Sequence, residues 1–216
     1  MLIVKPDDQG IKLAAQLLRA GKSVVYPTDT SYGLAVDATN PVAVKKLYRL
    51  KGRNFKKPVH VIVSSLSMAK KLVVLGRQAE KLSKRFLPGP LTVVLPLRVR
   101  GRKRGLKERS LRLLSAGIGT LGIRMSDNKI TLALVKKLGR PITTTSANIS
   151  GLPASYSPEE VLKQFRGRKY QPDLILDAGR LPRVKPSTVV AITGGRVRIL
   201  RQGPVSKQRI KDALKF

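Results

Sequence analysis

Three short segments of this 216-residue chain concentrate the side chains that could do chemistry. The first is Tyr26-Pro27-Thr28-Asp29-Thr30-Ser31-Tyr32-Gly33, dense in hydroxyls after an early apolar run. The second is Lys51-Gly52-Arg53, two cations straddling a glycine. Arginine offers a bidentate fork to carboxylate or phosphate, and lysine adds a mobile point charge. The same pair is accounted for as the end of a helix, where cations suit the negative pole of the dipole and Gly52 makes a C-cap. The third is Pro141–Gly151 (PITTTSANISG), running from an apolar strand into a polar turn with Ser146, Asn148 and Ser150. It reads equally as a turn held by side chain–backbone bonds or as a row of neutral donors at a strand end, where α/β sheets bind ligands. Together the segments supply cations and hydroxyls without an obvious nucleophile. That set suits binding and aligning anionic reactants.

Composition removes several alternatives. There is no cysteine and a single histidine, which excludes a disulfide scaffold, a thiolate nucleophile, an iron–sulfur cluster and Cys/His zinc sites. A Ser–His–Asp mechanism would rest on His60 alone, and His60 sits inside an apolar strand pattern that favours a packed or sheet-facing ring. Gly117-Ile118-Gly119-Thr120-Leu121-Gly122 spells a dinucleotide fingerprint, but a strand-like segment follows instead of a helix, so it reads as a decoy. No P-loop motif occurs. Ser67-Met68-Ala69-Lys70 spells S-x-x-K without its supporting motifs, so Ser67 reads as a helix cap.

The net charge is +32. Such a surface attracts polyanions such as RNA, nucleotides or acidic lipid. The excess is regional too: between Asp37 and Glu80 there are ten Lys or Arg and no acid. Arg98–Arg112 carries eight basic residues against Glu108 alone, which reads as a mobile, solvated loop. Its Arg100, Arg102, Lys103 and Arg104 would suit a lid over a triphosphate. No apolar stretch is long enough for a signal sequence or a membrane span, so a cytoplasmic protein without a membrane partner is expected.

The elements that must position these residues alternate between short apolar strands and helical patterns. Asp7 or Asp8 caps a helix bearing Ile11, Ala14, Ala15 and Leu18. Asn40-Pro41 is a cap followed by proline at the first helical position, and Asp127 is expected to cap another helix. Strands are predicted at 23–26, 59–63, 91–97, 121–125, 142–145, 173–177, 187–192 and 196–200. Further helices are predicted near 66–75, 78–86 and 206–214. One α/β domain over 1–216 with a mixed sheet follows.

The ordered motifs YPTDTSYGLAVDA, KGR then KPV, FLPGPLT, GIRM, TTTSANISG, DAGR, PSTVV and ILRQG resemble the YrdC/Sua5 family of threonylcarbamoyl-AMP synthases, from Tyr26 to Gly203. The resemblance implies a single YrdC-like domain, a twisted open sheet with helices around a deep basic cavity. It implies that L-threonine, bicarbonate and ATP become threonylcarbamoyl-AMP and pyrophosphate, with Mg²⁺ on the nucleotide. The product would serve N6-threonylcarbamoyladenosine formation at position 37 of tRNA, through a downstream transferase complex. The family's signature falls on Lys51, Arg53, Ser146 and Asn148. By family position Lys51 and Arg53 would hold the threonine carboxylate, the carbamate and the α-phosphate, and Ser146 and Asn148 the nucleotide. Thr28, Thr30 and Tyr32 would shape the threonine pocket with Ser187 and Thr188, and Arg124 and Arg201 would address phosphates. Ser31, Ala191 and Ile123-Arg124-Met125-Ser126 depart from the usual pattern. The rival is a YciO-like, RNA-binding protein using the same fold as a basic platform. With nine aromatics in the chain, RNA contact would run to phosphates more than to bases.

Overall fold

The computed structural model describes residues 1–98 and 105–215. Its elements run β1 (Leu2–Val4), α1 (Asp8–Arg19), β2 (Val24–Pro27), β3 (Tyr32–Ala35), α2 (Pro41–Lys51), β4 (His60–Ile62), α3 (Leu66–Lys70), α4 (Arg77–Phe86), β5 (Leu91–Pro96), α5 (Leu106–Leu114), β6 (Thr120–Arg124), α6 (Lys129–Leu138), β7 (Ile142–Ser146), α7 (Pro158–Phe165), β8 (Leu174–Leu176), β9 (Thr188–Thr193), β10 (Arg196–Arg201) and α8 (Lys207–Lys215). The strands form one open mixed sheet in the order β1-β8-β2-β3-β7-β4-β6-β5-β9-β10. Four pairs are parallel (β1/β8, β2/β8, β4/β6, β5/β9) and the other five antiparallel, a mixed arrangement found in twisted α/β sheets.

Caps set several helix ends. Asp7 accepts from Gly10 N, and Asn40 accepts from Val42 N and Ala43 N with Pro41 opening α2. Gly52 takes the left-handed conformation (φ 59°) that ends α2 there. Two expected caps shift. Asn128 replaces Asp127 at α6, accepting from Thr131 N, and Ser65 replaces Ser67 at α3, accepting from Met68 N. In each case the side-chain oxygen three residues before the donor amide satisfies the first turn. Ser67 lies exposed inside α3, and Lys70 pairs with Glu80 at 2.8 Å. The 98–112 loop expectation is corrected from Leu106 onward. Helix α5 begins at Leu106, and Ser110 and Leu111 are buried, because Leu111 and Leu114 form an apolar edge at i, i+3 under the charges. The lid residues Arg100, Arg102, Lys103 and Arg104 lie outside the described residues.

The sheet has a core on each face. The larger takes Val25, Leu34, Val61, Val93, Leu121, Ile123 and Val190 against residues of α2, α4, α5, α7 and α8. The smaller takes Val24, Tyr26, Ala35, Ile62 and Ile142 against α1 and α6. Side chains alternate along a strand, so the face that buries Ile62 and Ile142 also carries His60 and Thr144. Register extends this row to Gly122 and Arg124 of β6, Thr92 of β5, and Gly33 and Ser146. Helices α1 and α6 cover one half of that face. The polar row makes the floor of a cavity over the other half.

Candidate active site

The cavity has a volume of about 300 Å³. Hydroxyls and three arginines line it: Thr28, Thr30, Ser31, Thr92, Thr144, Thr145, Ser146 and Ser187, with Arg53, Arg124 and Arg201. His60, Gly33, Gly122 and Tyr156 belong to the same region. A side chain at Gly33 would meet the Tyr26 ring at 2.7 Å, and one at Gly122 would meet the His60 ring at 2.5 Å. Gly122, the third glycine of the apparent dinucleotide fingerprint, is therefore explained by the room it leaves for imidazole. Gly117 and Gly119 have positive φ in the turn before β6, so the motif opens a strand.

Lys51, Ser146 and Asn148 meet as one corner. Lys51 is 1% exposed. Its Nζ donates to Ser146 O at 2.5 Å, Asn148 O at 2.6 Å and Asn148 Oδ1 at 3.1 Å. The Ser146 hydroxyl also meets Asn148 Oδ1, and Asn148 Nδ2 donates to Ile149 O at 2.9 Å. The ammonium has three protons and all three have acceptors. Burial, then the neighbouring Arg53 charge, pull Lys51 down to about 7. The expected anion clamp is thus divided. Lys51 ties the 146–148 loop to the end of α2, while Arg53 lines the cavity and holds the following loop through Lys57 O at 3.3 Å and Pro58 O at 2.8 Å.

The hydroxyl segment is equally organised. Thr28 Oγ1 donates to Ser31 O at 2.7 Å and accepts from Thr30 N and Ser31 N, folding the turn back on itself. Arg124 is 5% exposed and pairs with Asp29 at 2.6 Å, its Nη1 donating to Thr30 Oγ1 at 3.3 Å. Asp29 also accepts from Ser126 Oγ at 2.5 Å. Arg201 donates to Ser187 O at 2.9 Å and Ser187 Oγ at 3.2 Å, and Ser187 Oγ shares a 3.0 Å bond with Thr92 Oγ1. Burial lowers the pKa of Arg53, and burial with Arg124's charge lowers that of Arg201.

Of the residues singled out in the sequence, Arg53, Arg124, Ser146, Thr28, Thr30, Ser187 and Arg201 line the cavity. Lys51 and Asn148 support its wall. Tyr32 and Thr188 are buried anchors: the Tyr32 hydroxyl donates to Gly179 O at 2.7 Å and accepts from Ala178 N at 3.0 Å. Thr188 Oγ1 donates to Val205 O at 2.8 Å and accepts from Gly203 N. The sequence gives Asp29 no role, and His60 reads there as a packed or sheet-facing ring. The alternation of His60 with Ile62 was the available signal that its ring faces the covered side of the sheet.

The arrangement can bind several negative groups side by side and hold them with fixed dipoles, which is what aligning anionic reactants requires. Among the described residues no group of three or more His, Cys, Asp or Glu could hold a metal ion. Nor is any described helix long and apolar enough to cross a membrane.

Comparison with known proteins gives a consistent neighbourhood. The Sua5/YciO/YrdC family model, described as telomere recombination, matches residues 16–203. Curated proteins named threonylcarbamoyl-AMP synthase match from Pyrococcus abyssi (35% identical over 94% of this chain) and Bacillus subtilis (36% over 96%). The chain spans 57% of the length of each. The solved structure of P. abyssi Sua5 complexed with L-threonine superposes with a TM-score of 0.86 at 33% identity, covering 99% of this chain and 59% of that one. Escherichia coli YciO superposes at 0.79 with 27% identity, covering 97% and 98%.

Proposed function

The chain belongs to the Sua5/YciO/YrdC family, and from that premise we propose that its cavity makes threonylcarbamoyl-AMP from L-threonine, bicarbonate and ATP. The observation that carries this reading is the convergence of Arg53, Arg124 and Arg201 with a ring of hydroxyls on one cavity, in a fold whose P. abyssi counterpart binds L-threonine. Threonine's amine and bicarbonate give a carbamate and water. A carbamate oxygen then attacks the α-phosphorus of ATP, and the bond to pyrophosphate breaks. All three reactants carry negative groups, so bringing them together costs electrostatic energy unless fixed cations oppose it.

Arg53 and Arg201 face the phosphates and the carbamate. Arg124, held by Asp29, addresses a carboxylate or phosphate beside Thr28 and Thr30. Ser146 bonds the nucleotide from a loop that Lys51 and Asn148 fix in place. Mg²⁺ would be held mainly by the phosphates of ATP, beside the hydroxyls that line the cavity. When bound, the ion neutralises charge on the leaving pyrophosphate. A downstream transferase complex passes the threonylcarbamoyl group to tRNA in the cytoplasm. The +32 surface holds that tRNA loosely through its phosphates.

The test is pyrophosphate release with threonine and bicarbonate each added or omitted. Release that requires both, and that falls at least about 100-fold in Arg53→Ala, supports the reading. Release independent of threonine, or none in any mixture, would refute it and leave the YciO-like binding role.

A further inference from the structure

The geometry points to His60 as the proton acceptor of the cavity: we propose that its imidazole takes the proton which the threonine ammonium must shed before its nitrogen can add to bicarbonate. The inference rests on the reaction proposed above. The ammonium passes one proton to the imidazole nitrogen, giving a free amine and an imidazolium. The amine nitrogen bonds the bicarbonate carbon, the C–OH bond breaks, and the hydroxide leaves with the second amine proton as water. The imidazolium returns its proton to solvent when product departs.

Elimination among the cavity's own groups leads to His60. The guanidinium groups of Arg53, Arg124 and Arg201 are protonated and have no lone pair to offer. The aliphatic hydroxyls that make up much of the lining are no bases at neutral pH. Asp29 is the nearby carboxylate, and its oxygens are engaged by Arg124 and by Ser126. Lys51 turns its nitrogen to three loop oxygens, which leaves no vacant position toward the cavity. His60 lines the cavity from the middle of the floor, opposite Thr144 on β7 and with its ring against the bare Cα of Gly122 on β6. A Cβ at Gly122 would occupy that ring position. The imidazole is thus built into the floor between two strands.

The charges facing it explain when it would act. Arg124 projects from β6, Arg201 from β10 and Arg53 from the end of α2, while β7 contributes only the neutral Thr144, Thr145 and Ser146. Burial first, then Arg201, Arg53 and Arg124, push His60 down to about 4. The ring is therefore neutral and vacant at physiological pH. Negative reactants seated among the three arginines cancel the part of the downward shift that those charges cause. His60 gains basicity as the cavity fills, and by reciprocity anion affinity rises as pH falls.

The chain has one histidine, so its imidazole proton resonance is unambiguous. The first experiment follows that resonance from pH 8 to pH 5, alone and with a non-hydrolysable α,β-methylene ATP analogue plus L-threonine. The free protein should show no titration in this range, and the complex should show a midpoint inside it. An unmoved resonance overturns the proposal. The second compares wild type with His60→Gln in the pyrophosphate assay. kcat should fall about 100-fold, the acid limb of the wild-type kcat profile should vanish, and KM for ATP should change less than about threefold. Imidazole added to His60→Gly should restore part of the rate. Thermal melts of both variants identify any loss due to unfolding. Wild-type kcat and pH profile in a folded His60→Gln would overturn His60's role while leaving the reaction standing, because wild-type release that needs both co-substrates tests the reaction separately.

Discussion

Two stretches of backbone border the cavity and are pinned by charged side chains, but in opposite surroundings. The 146–148 loop is fixed by Lys51, a buried ammonium whose partners are two carbonyls and an amide oxygen. The segment from Asp177 to Ser187, which brings Val184, Pro186 and Ser187 to the cavity, is fixed on its outer side by Arg180 and Arg183 reaching Glu160 of α7 at 3.1 Å and 3.6 Å. Arg183 also lies over the Tyr156 ring, 5.4 Å from its centroid. Those arginine side chains are 64% and 74% exposed, so water screens their attraction to Glu160. Lys51 is buried, so bulk solvent does not take over if the bonds are lost. The same class of side chain therefore makes a rigid corner in one place and a loose strap in the other. Charge count says nothing about which; solvent access decides it.

The largest expected effect follows from breaking the buried corner. Lys51→Met keeps the stem's bulk but strands Ser146 O and Asn148 O without a donor, costing about 3 kcal/mol of stability. Urea denaturation would measure the loss, and pyrophosphate release should fall at least about 100-fold because Ser146 and Asn148 lose their positions. Were Lys51 a pure substrate clamp, activity would vanish with stability unchanged.

Titration sharpens the same contrast. The folded-state value for Lys51, about 7, lies below its ordinary 10.5. Between those values the unfolded chain binds more protons, so this group makes stability rise with pH from about 7 toward 10.5 and lowers it on the way back down. The stability gap between wild type and Lys51→Met should therefore widen from pH 7 to pH 9.5 at fixed ionic strength. Tyr26 and Tyr32, each pushed up to about 12 chiefly by burial, contribute in the opposite direction above pH 10, which sets the upper limit of the window. A gap that stays constant would mean that the ammonium keeps an ordinary pKa in its corner.

Asp29 tests an intermediate case, a carboxylate buried beside the cavity. Asp29→Asn removes the negative charge from Arg124 while leaving an oxygen for Ser126. With its partner neutral, Arg124 is free to turn toward the cavity, so KM for threonine should change by about tenfold with a smaller effect on kcat. Equal losses in both would assign Asp29 to the chemical step.

Much of this contrast could be anticipated from the chain, and the part that could not has physical causes. Local signals sufficed where a residue acts on its own neighbours: Asp7, Asn40 and Gly52 end helices through bonds within a few positions. The ordered motifs located most of the cavity wall. Strand β3 escaped because four residues containing a glycine have little preference of their own, and pairing with β2 and β7 on its two sides decides the outcome. Helix α7 was legible but unread: Ser157-Pro158-Glu159-Glu160 combines a capping serine, proline at the first position and an acidic first turn, and Ser157 does accept from Glu160 N. Helix α5 was hidden by basic residues outweighing its apolar edge. The division of labour between Lys51 and Arg53 was beyond reach, because it depends on β7 returning to the end of α2 across nearly a hundred residues. The ion pair of Arg124 with Asp29 and the seat of His60 on Gly122 depend on strand order in the same way.

The smallest expected effect belongs to the exposed strap. Glu160→Gln removes the charge that holds Arg180 and Arg183 but leaves a side-chain oxygen that can still accept from Tyr156 N, a bond of 2.7 Å in the wild type. The backbone tie from Leu181 N to Tyr156 O and the buried Tyr32 contacts to Ala178 and Gly179 survive. Stability should change by less than about 1 kcal/mol, and less still at high salt, where the pairs are already screened. Loss of Glu160's charge leaves Arg180 and Arg183 unpaired beside the cavity proposed to take ATP, so the sensitive readout is the salt dependence of nucleotide affinity. The variant should bind ATP slightly more tightly than wild type at low salt, with the difference gone near 0.5 M. A destabilisation comparable to that of Lys51→Met would show that exposure does not rank the two anchors, and the contrast between them would fail.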